Sequence, residues 1–356
     1  MRNRCAKLAV LIVSYGNPLD VRCCLESLAR STWRDFEVFV CENAGQEAFR
    51  RLDAVLTEQT RVLERADNRS DEIDQPGGRL AAVATYQLCG SAILVRIAAA
   101  TENLGYAGGV NAWVERFLLL SGWEAILVLN PDTLVGDTCL SELMGKAVEG
   151  FGMVGGTHVF DAAPDKIVNY GLRWSRMTGR VIAVGRNSPA GSIPSSKILA
   201  SIDAISGACV LVTRAFIEQV GLMAEDYFLY LEDLDWGQRR GRHRIGFAPN
   251  AVIRHVGGTT IGSAVDPKKQ ASPLSIYLTA RNGILHARRR AGWRWILHFA
   301  TGTLYAARYV LNGSPYAAKV AFAGLFDGAR GKTGRPNLQI IDVISGRAGR
   351  VLISPR

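Results

Sequence analysis

The sequence predicts an α/β fold with a mostly parallel sheet and helices on both of its faces, and three observations carry that prediction. Unbroken apolar runs recur through the first third of the chain, as in LAVLIV and AILVL. Between them lie stretches whose apolar residues recur at helical spacing, as in LDVRCCLESLAR. The polar residues collect where each apolar run ends. A parallel strand covered on both faces shows a continuous Val/Ile/Leu run rather than alternation. Strands alternating with helices are βαβ units, which cross over right-handed.

Taken in order, LAVLIVSYG from Leu8 is the first strand. Asn17-Pro18 opens a helix, because the N–H that proline lacks has no partner at the first helical position anyway. FEVFVCENAG is the second strand and QEAFRRLDAVL a helix. ILVRIAAATEN comes next as the third strand, NAWVERFLLL as a helix and AILVLNPDT as the fourth strand. ERADNRSDEIDQPGG, from Glu64 to Gly78, is polar and ends in Pro-Gly-Gly, which predicts a surface loop. After Asp132 the strand-like pieces shorten (MVGGTHVF, ACVLVT, IGFAPNAVIRH), so the second half is expected to be mixed rather than doubly wound. Residues 1–132 and 133–280 thus form two halves of one domain, and residues 281–356 a helical extension.

Composition narrows the function. The 356 residues are 48% hydrophobic and 21% charged, which fits a chain that buries a sizeable core. The net charge of +10 is not spread evenly. From Arg281 onward there are 13 Lys/Arg against two acids, whereas residues 1–280 hold 29 basic and 30 acidic groups. A neutral body with a basic tail points the tail at an anionic surface and argues against nucleic acid as the partner of the whole. In that tail Arg288, Arg289, Arg290 and Arg294 stand beside Trp293, Trp295 and Phe299, and no formal charge occurs from Trp295 to Ala307. Aromatic residues with basic neighbours suit an interfacial helix at a membrane; packing on the body or in a homo-oligomer suits it equally. The seven cysteines form no CxxC pair, as expected of reduced thiols. LAVLIV is too short for a signal-peptide core, and no stretch reaches the roughly 20 apolar residues of a spanning helix. A cytoplasmic protein, peripheral at the inner membrane face, is the expectation.

In an open α/β sheet, ligands bind at the carboxyl ends of the strands. Ser14-Tyr15-Gly16, Glu42-Asn43, Glu102-Asn103 and Asn130-Pro131-Asp132 end the four strands, and together they favour a nucleotide crevice. The segment Asn103 to Asn111, with Gly105, Gly108 and Gly109, is either a phosphate-adjacent turn or simply a tight strand-to-helix connection. It is not GxGxxG, and GxxxxGK[ST], GxSxG and HExxH are absent. Asp132 at the mouth of a buried strand suits a hard cation such as Mg2+ or Mn2+ that bridges phosphate oxygens. Glu232, Asp233 and Asp235 place three carboxylates within four residues of an aromatic-rich stretch, where each raises the others' pKa and equips one as a general base. The same residues also suit a helix N-terminus, with Asp233 as its cap. His255, at a strand end, is a candidate ligand, and Arg281-Asn282 either reaches a diphosphate or begins the tail.

In order and spacing, VLIVSYGNP, CENAG, ENLGYAGGVNAW, LVLNPDT, SGACVLVTRAFIEQVGLMAEDYFLYLEDLDW, GFAPNAVIRHVGG and YLTARN resemble the family-2 glycosyltransferases of GT-A fold, especially their bacterial rhamnosyltransferase branch. The resemblance spans most of residues 8–283 and implies a Rossmann-like sheet, with site roles assigned residue by residue. Asn130-Pro131-Asp132 looks like the DxD element, with Asp132 as the metal ligand and Asn130 in place of the first acid. Glu42 stands where the family has an aspartate that meets the donor nucleoside. Ser14, Tyr15, Asn103 and Gly105 fall on the nucleotide-sugar side. Asp233 matches the catalytic base, supported by Glu232, and His255 completes the metal site. Asp235, Trp236, Arg239 and Arg281 fall on the acceptor or diphosphate side. The resemblance therefore implies an inverting transferase that takes a sugar, rhamnose being the branch's commonest, from a dTDP- or UDP-type donor to a glycan or lipid-linked acceptor. The processive signature QxxRW is absent, since Gln238 is followed by Arg-Arg-Gly-Arg. Two other classes compete with this reading: a nucleotidyltransferase or oxidoreductase on a similar sheet, and a membrane-surface adaptor resting on the basic tail.

Overall fold

The structure is a computed structural model in which residues 7–66, 76–256 and 271–337 are described. The described chain forms two compact units. The first comprises residues 7–173, 182–225 and 232–256, and the second residues 174–181, 226–231 and 271–337. The halves expected to meet near residue 132 therefore share one unit, and the second unit includes two internal segments besides the C-terminal helices.

In chain order the strands are β1 (Leu8–Ser14), β2 (Phe36–Glu42), β3 (Leu63–Arg65), β4 (Leu80–Leu88), β5 (Leu94–Ala100), β6 (Ala125–Leu129), β7 (Thr133–Val135), β8 (Met153–Phe160), β9 (Ala163–Asn169), a short ribbon of β10 (Leu172–Trp174) and β11 (Val181–Ala183), β12 (Cys209–Thr213) and β13 (Ile245–His255). The main sheet runs β3-β4-β5-β2-β1-β6-β12-β8-β13-β7, with β9 on β8. Its parallel nucleus is β5-β2-β1-β6, as the four predicted strands require. Beyond β6 the sheet is mixed, because β12 runs antiparallel to both β6 and β8 while β13 is parallel to β8.

The unbroken run of β1 is explained by cover on both faces. Leu8, Val10 and Ile12 enter one core, and Ala9 and Leu11 enter the other. The helices of this unit are α1 (Pro18–Ala29), α2 (Gln46–Ala54), α3 (Gly105–Phe117), α4 (Cys139–Val148), α5 (Ser195–Ser201), α6 (Arg214–Val220) and α7 (Glu232–Gln238). Pro18 sits in the first turn of α1 as its sequence predicts. The helix over NAWVERFLLL begins earlier than expected, at Gly105, so the glycine-rich stretch is itself helical.

Two strands depart from the sequence expectation. The expected loop Glu64–Gly78 overlaps β3, and its residues 67–75 lie outside the described residues. β4 has no counterpart among the expected strands; it pairs antiparallel with β5 and buries Leu80, Tyr86 and Leu88, leaving its middle half-exposed. Cys24, Cys41, Cys139 and Cys209 are buried and free, as expected of reduced thiols.

The second unit holds α8 (Pro273–Arg290), α9 (Trp295–Leu311) and α10 (Pro315–Ala329) around Phe228, Ile276, Leu278, Val320 and Leu325. Gly324 and Gly328 let α10 approach α8 closely, since a Cβ there would fall 2.4 Å from the Tyr277 carbonyl and 2.5 Å from that of Arg281. Among the described residues no helix is long and apolar enough to cross a membrane.

Candidate active site

Three strand ends of the nucleus are tied together by side chains. Glu42 is fully buried; it accepts from Ser14 Oγ at 2.7 Å and from the backbone N–H groups of Gly16 at 3.0 Å and Ala44 at 2.9 Å. Its longer side chain thus folds back to hold the β1 and β2 turns at the position where the resemblance expects the nucleoside-meeting acid. Tyr15, on the turn that Glu42 holds, is exposed. Asn43 donates to the Gly105 carbonyl at 2.7 Å and accepts from the Leu104 N–H at 3.0 Å, and Asn103 accepts from the Gly105 N–H at 3.0 Å. Gly105 has φ +74°, in the left-handed region that favours glycine. Gly109 has a packing reason, because a Cβ there would lie 2.8 Å from Val13 Cγ1.

Asp132 and His255 are brought together by the sheet. The β7–β13 ladder sets Thr133 opposite His255, so the residue before Thr133 lies beside the imidazole. His255 Nε2 stands 3.4 Å from Asp132 Oδ2, and neither ring nitrogen of His255 has a hydrogen-bond partner although both are buried. Behind them on β8 lies His158, fully buried, whose pKa is pushed down to about 3 by burial and by neighbouring His255. It is a neutral imidazole. Two cis donors on an octahedral ion at about 2.1 Å stand about 3 Å apart, so this pair fits a Mg2+ or Mn2+ ion that takes its other oxygens from water and phosphate. Among the described residues no group of three or more His, Cys, Asp or Glu suited to a metal occurs, so the chain offers two donors rather than a closed cage.

The acidic cluster opens α7. Asp233 lies in the first turn of α7 instead of capping it, because the helix already begins at Glu232: Oδ1 accepts from the Leu234 N–H at 2.7 Å, while Oδ2 accepts from the Gly207 N–H at 2.8 Å. The Gly207 carbonyl in turn accepts from Tyr106 Oη at 2.7 Å. Gly207 is closely flanked, since a Cβ there would meet Asp233 Cβ at 3.3 Å and Tyr106 Cε1 at 3.4 Å. Because Cys209 pairs with Leu129 across β12 and β6, Gly207 and the Asn130-Pro131-Asp132 turn leave the sheet at the same edge, where the Asn130 N–H donates to the Ala208 carbonyl at 2.9 Å. Tyr106 registers that proximity. Its pKa is raised by burial first and then by Glu232, Asp233 and Asp132.

Glu232 is buried, its Oε2 has no hydrogen-bond partner, and its pKa is pushed up to about 8 by burial and by neighbouring Asp233. Burial also raises Asp233, but the amides of Gly207 and Leu234 oppose that rise. The two carboxyls thus differ in surroundings: backbone amides meet both oxygens of Asp233, whereas Glu232 Oε2 has none.

The remaining expected site residues make contacts within the chain. Arg239 bonds Asp235 at 2.6 Å and donates to the Val220 and Leu222 carbonyls, while Trp236 Nε1 donates to the Gly221 carbonyl at 2.9 Å. Asp235, Trp236 and Arg239 therefore brace the end of α6. Arg281 is buried in the second unit, donating to the carbonyls of Gly334 at 2.7 Å and Tyr227 at 2.8 Å. Its Nε donates to Asn282 Oδ1 at 2.9 Å, so the buried guanidinium is engaged within the second unit. Tyr106, Gly207 and His158 are site neighbours that sequence reasoning did not single out. Only the ENLGYAGG and SGAC strings hinted at the first two.

No family model matches the chain. It is similar to the low-salt glycan biosynthesis hexosyltransferase Agl10 of Haloferax volcanii, 22% identical over 254 residues, covering 66% of this chain and 75% of that protein. It is also similar to the N-acetylglucosaminyl-diphospho-decaprenol L-rhamnosyltransferase of Mycobacterium tuberculosis, 28% identical over 227 residues, covering 57% and 72%. Among solved structures, the mannosyltransferase PcManGT of Pyrobaculum calidifontis, in complex with GDP-Man and Mn2+, aligns at 14% identity and a TM-score of 0.44 over 97% of this chain and 81% of that one. Residues 1–349 of S. aureus TarS, in complex with UDP-GlcNAc, align at 13% and 0.47, over 95% and 83%.

Proposed function

We propose that this chain, a glycosyltransferase, moves a hexosyl group with inversion from a nucleoside diphosphate sugar to a hydroxyl of a glycan or lipid-linked glycan, with Asp233 as general base. The observation that carries the reading is the pairing of Asp233 with Glu232 at the sheet edge that also presents Asp132. Two backbone amides hold the Asp233 carboxylate in place, while burial pushes Glu232 up to about 8. A base so anchored takes the proton of the acceptor O–H as that oxygen forms its bond to the anomeric carbon. The bond from that carbon to the diphosphate oxygen breaks on the opposite face, so one displacement inverts the centre.

Asp132 and His255 are the residues that would hold Mg2+ or Mn2+, which when bound supplies charge neutralisation for the leaving diphosphate. Ser14, Tyr15, Asn103, Gly105 and Asn130 lie on the strand-end turns expected to receive the nucleotide sugar, where Glu42 and Asn43 fix the turns themselves. The name of the mycobacterial relative supports rhamnose as the sugar and a lipid-linked acceptor; a dTDP- or UDP-type donor is part of the same proposal. Such an acceptor places the reaction at the cytoplasmic membrane face. The test is Asp233→Asn. Donor binding and Tm should persist while turnover falls by roughly 10²-fold or more. Near-normal turnover in the folded variant would remove Asp233 from the role.

A further inference from the structure

We propose that α9, with the turn before it, is a docking surface for an anionic lipid bilayer and lies in the plane of the interface. A surface helix ordinarily turns its polar residues outward. Of the seventeen residues of α9 only His298 and Ala306 are buried. What it exposes is apolar: Leu304 is 70% and Leu311 84% exposed, Ile296 and Leu297 are more than half exposed, and Trp293, just ahead of the helix, is 71% exposed. Positions 293, 296–297, 304 and 311 recur at helical spacing, so they form one outward stripe. Seventeen residues are too few to span a bilayer but suit a helix lying on one, with tryptophan at headgroup level.

Charge selects the occupant. From Arg281 to Phe326 the sequence contains no Asp or Glu. Arg294 and Arg308 are exposed beside the stripe, and neither makes an ion pair with the described residues. Arg288 and Arg289, which the sequence offered equally to a membrane surface or to packing, make contacts within the second unit. Arg288 donates to the Ala329 carbonyl at 3.0 Å and stacks on Trp295, and Arg289 pairs with Asp226. Two copies meeting through this stripe would bring like charges together with no acid on the stretch to offset them. An anionic leaflet neutralises the same arginines while the stripe buries its apolar surface. This inference stands apart from the proposed reaction.

The test uses the full chain with sedimenting vesicles of phosphatidylcholine, with and without phosphatidylglycerol. Native protein should bind the anionic vesicles and lose affinity as salt rises. Arg294→Gln with Arg308→Gln should lower that affinity by roughly fivefold for each arginine. Leu304→Ser with Leu311→Ser should lower it further and leave a salt-independent deficit. Turnover on a short soluble acceptor should be unchanged in both variants, which separates this test from that of the reaction. Native-like vesicle binding by both variants overturns the proposal. So does a change of oligomeric state by Leu304→Ser with vesicle binding unaltered, which would assign the stripe to a second copy.

Discussion

Glu232 and Asp233 are adjacent in sequence but sit in different surroundings, and the difference is measurable. Glu232 ordinarily titrates near 4.5 and here is pushed up to about 8. Across that window the folded protein keeps a proton that the unfolded chain has released, so stability falls as pH rises, by up to about 1.4 kcal/mol per pH unit, and levels off above the folded value. Glu232→Gln cannot titrate, so its Tm should decline less between about pH 5 and about pH 8 than that of the native protein. Parallel declines would mean that Glu232 is ionised throughout. Serine, glutamate and asparagine at the strand ends were visible as candidates, yet their roles were not. Glu42 became a post for two turns because three donors converge on it.

Among the elements, the contact between α3 and β1 decides how closely the nucleotide-side turn approaches the sheet. Gly109 packs against Val13, and adding a methyl there forces an overlap. Gly109→Ala should cost about 1–3 kcal/mol in urea denaturation. Val13→Ala, which clears the space, should recover part of that loss in the double variant. Strict additivity of the two substitutions would show that the helix relaxes without meeting Val13. A second device lies in the second unit, where Phe228, Tyr230 and Leu231 have positive φ and Asn282 Nδ2 donates to the carbonyls of Tyr227, Leu229 and Tyr230. YLTARN thus clamps the strained segment that precedes Glu232 in sequence, a role for Asn282 that neither reading of Arg281-Asn282 from the sequence included.

For the molecule as a whole, the uneven charge fits the two proposals, a reaction on the neutral sheet and surface binding by the basic helical region. Ligands that bind only the folded state stabilise it by mass action, by about 2.7 kcal/mol at a hundredfold excess over Kd, and so raise its Tm. UDP or dTDP with Mn2+ should therefore raise the Tm, and NAD should not. Asp132→Ala and His255→Ala should each weaken the metal-dependent part of that rise, and EDTA should abolish turnover by the native protein. Full turnover after exhaustive chelation would leave the Asp132–His255 pair without a metal role. A rise with NAD alone would favour the oxidoreductase reading.

Much of this was legible in one dimension because local patterns are local physics. Continuous apolar runs could only be strands buried on both faces, so β1, β2, β5 and β6 and their polar ends were readable, as was the acidic start of α7. β4 escaped because it buries so few of its residues and its pattern resembles that of a loop margin. Tyr106, Gly207 and His158 escaped for a different reason. Each acquires its role from a strand or helix distant in sequence, through Gly207 between Tyr106 and Asp233 and through β8 beside β13. The contacts of Arg239, Trp236 and Arg281 escaped for the same reason: a polar side chain in a motif does not reveal which backbone carbonyls will meet it. Residue types and periodicity set which segments seek burial, but hydrogen bonds between distant segments can be assigned only after the sheet has chosen its strand order.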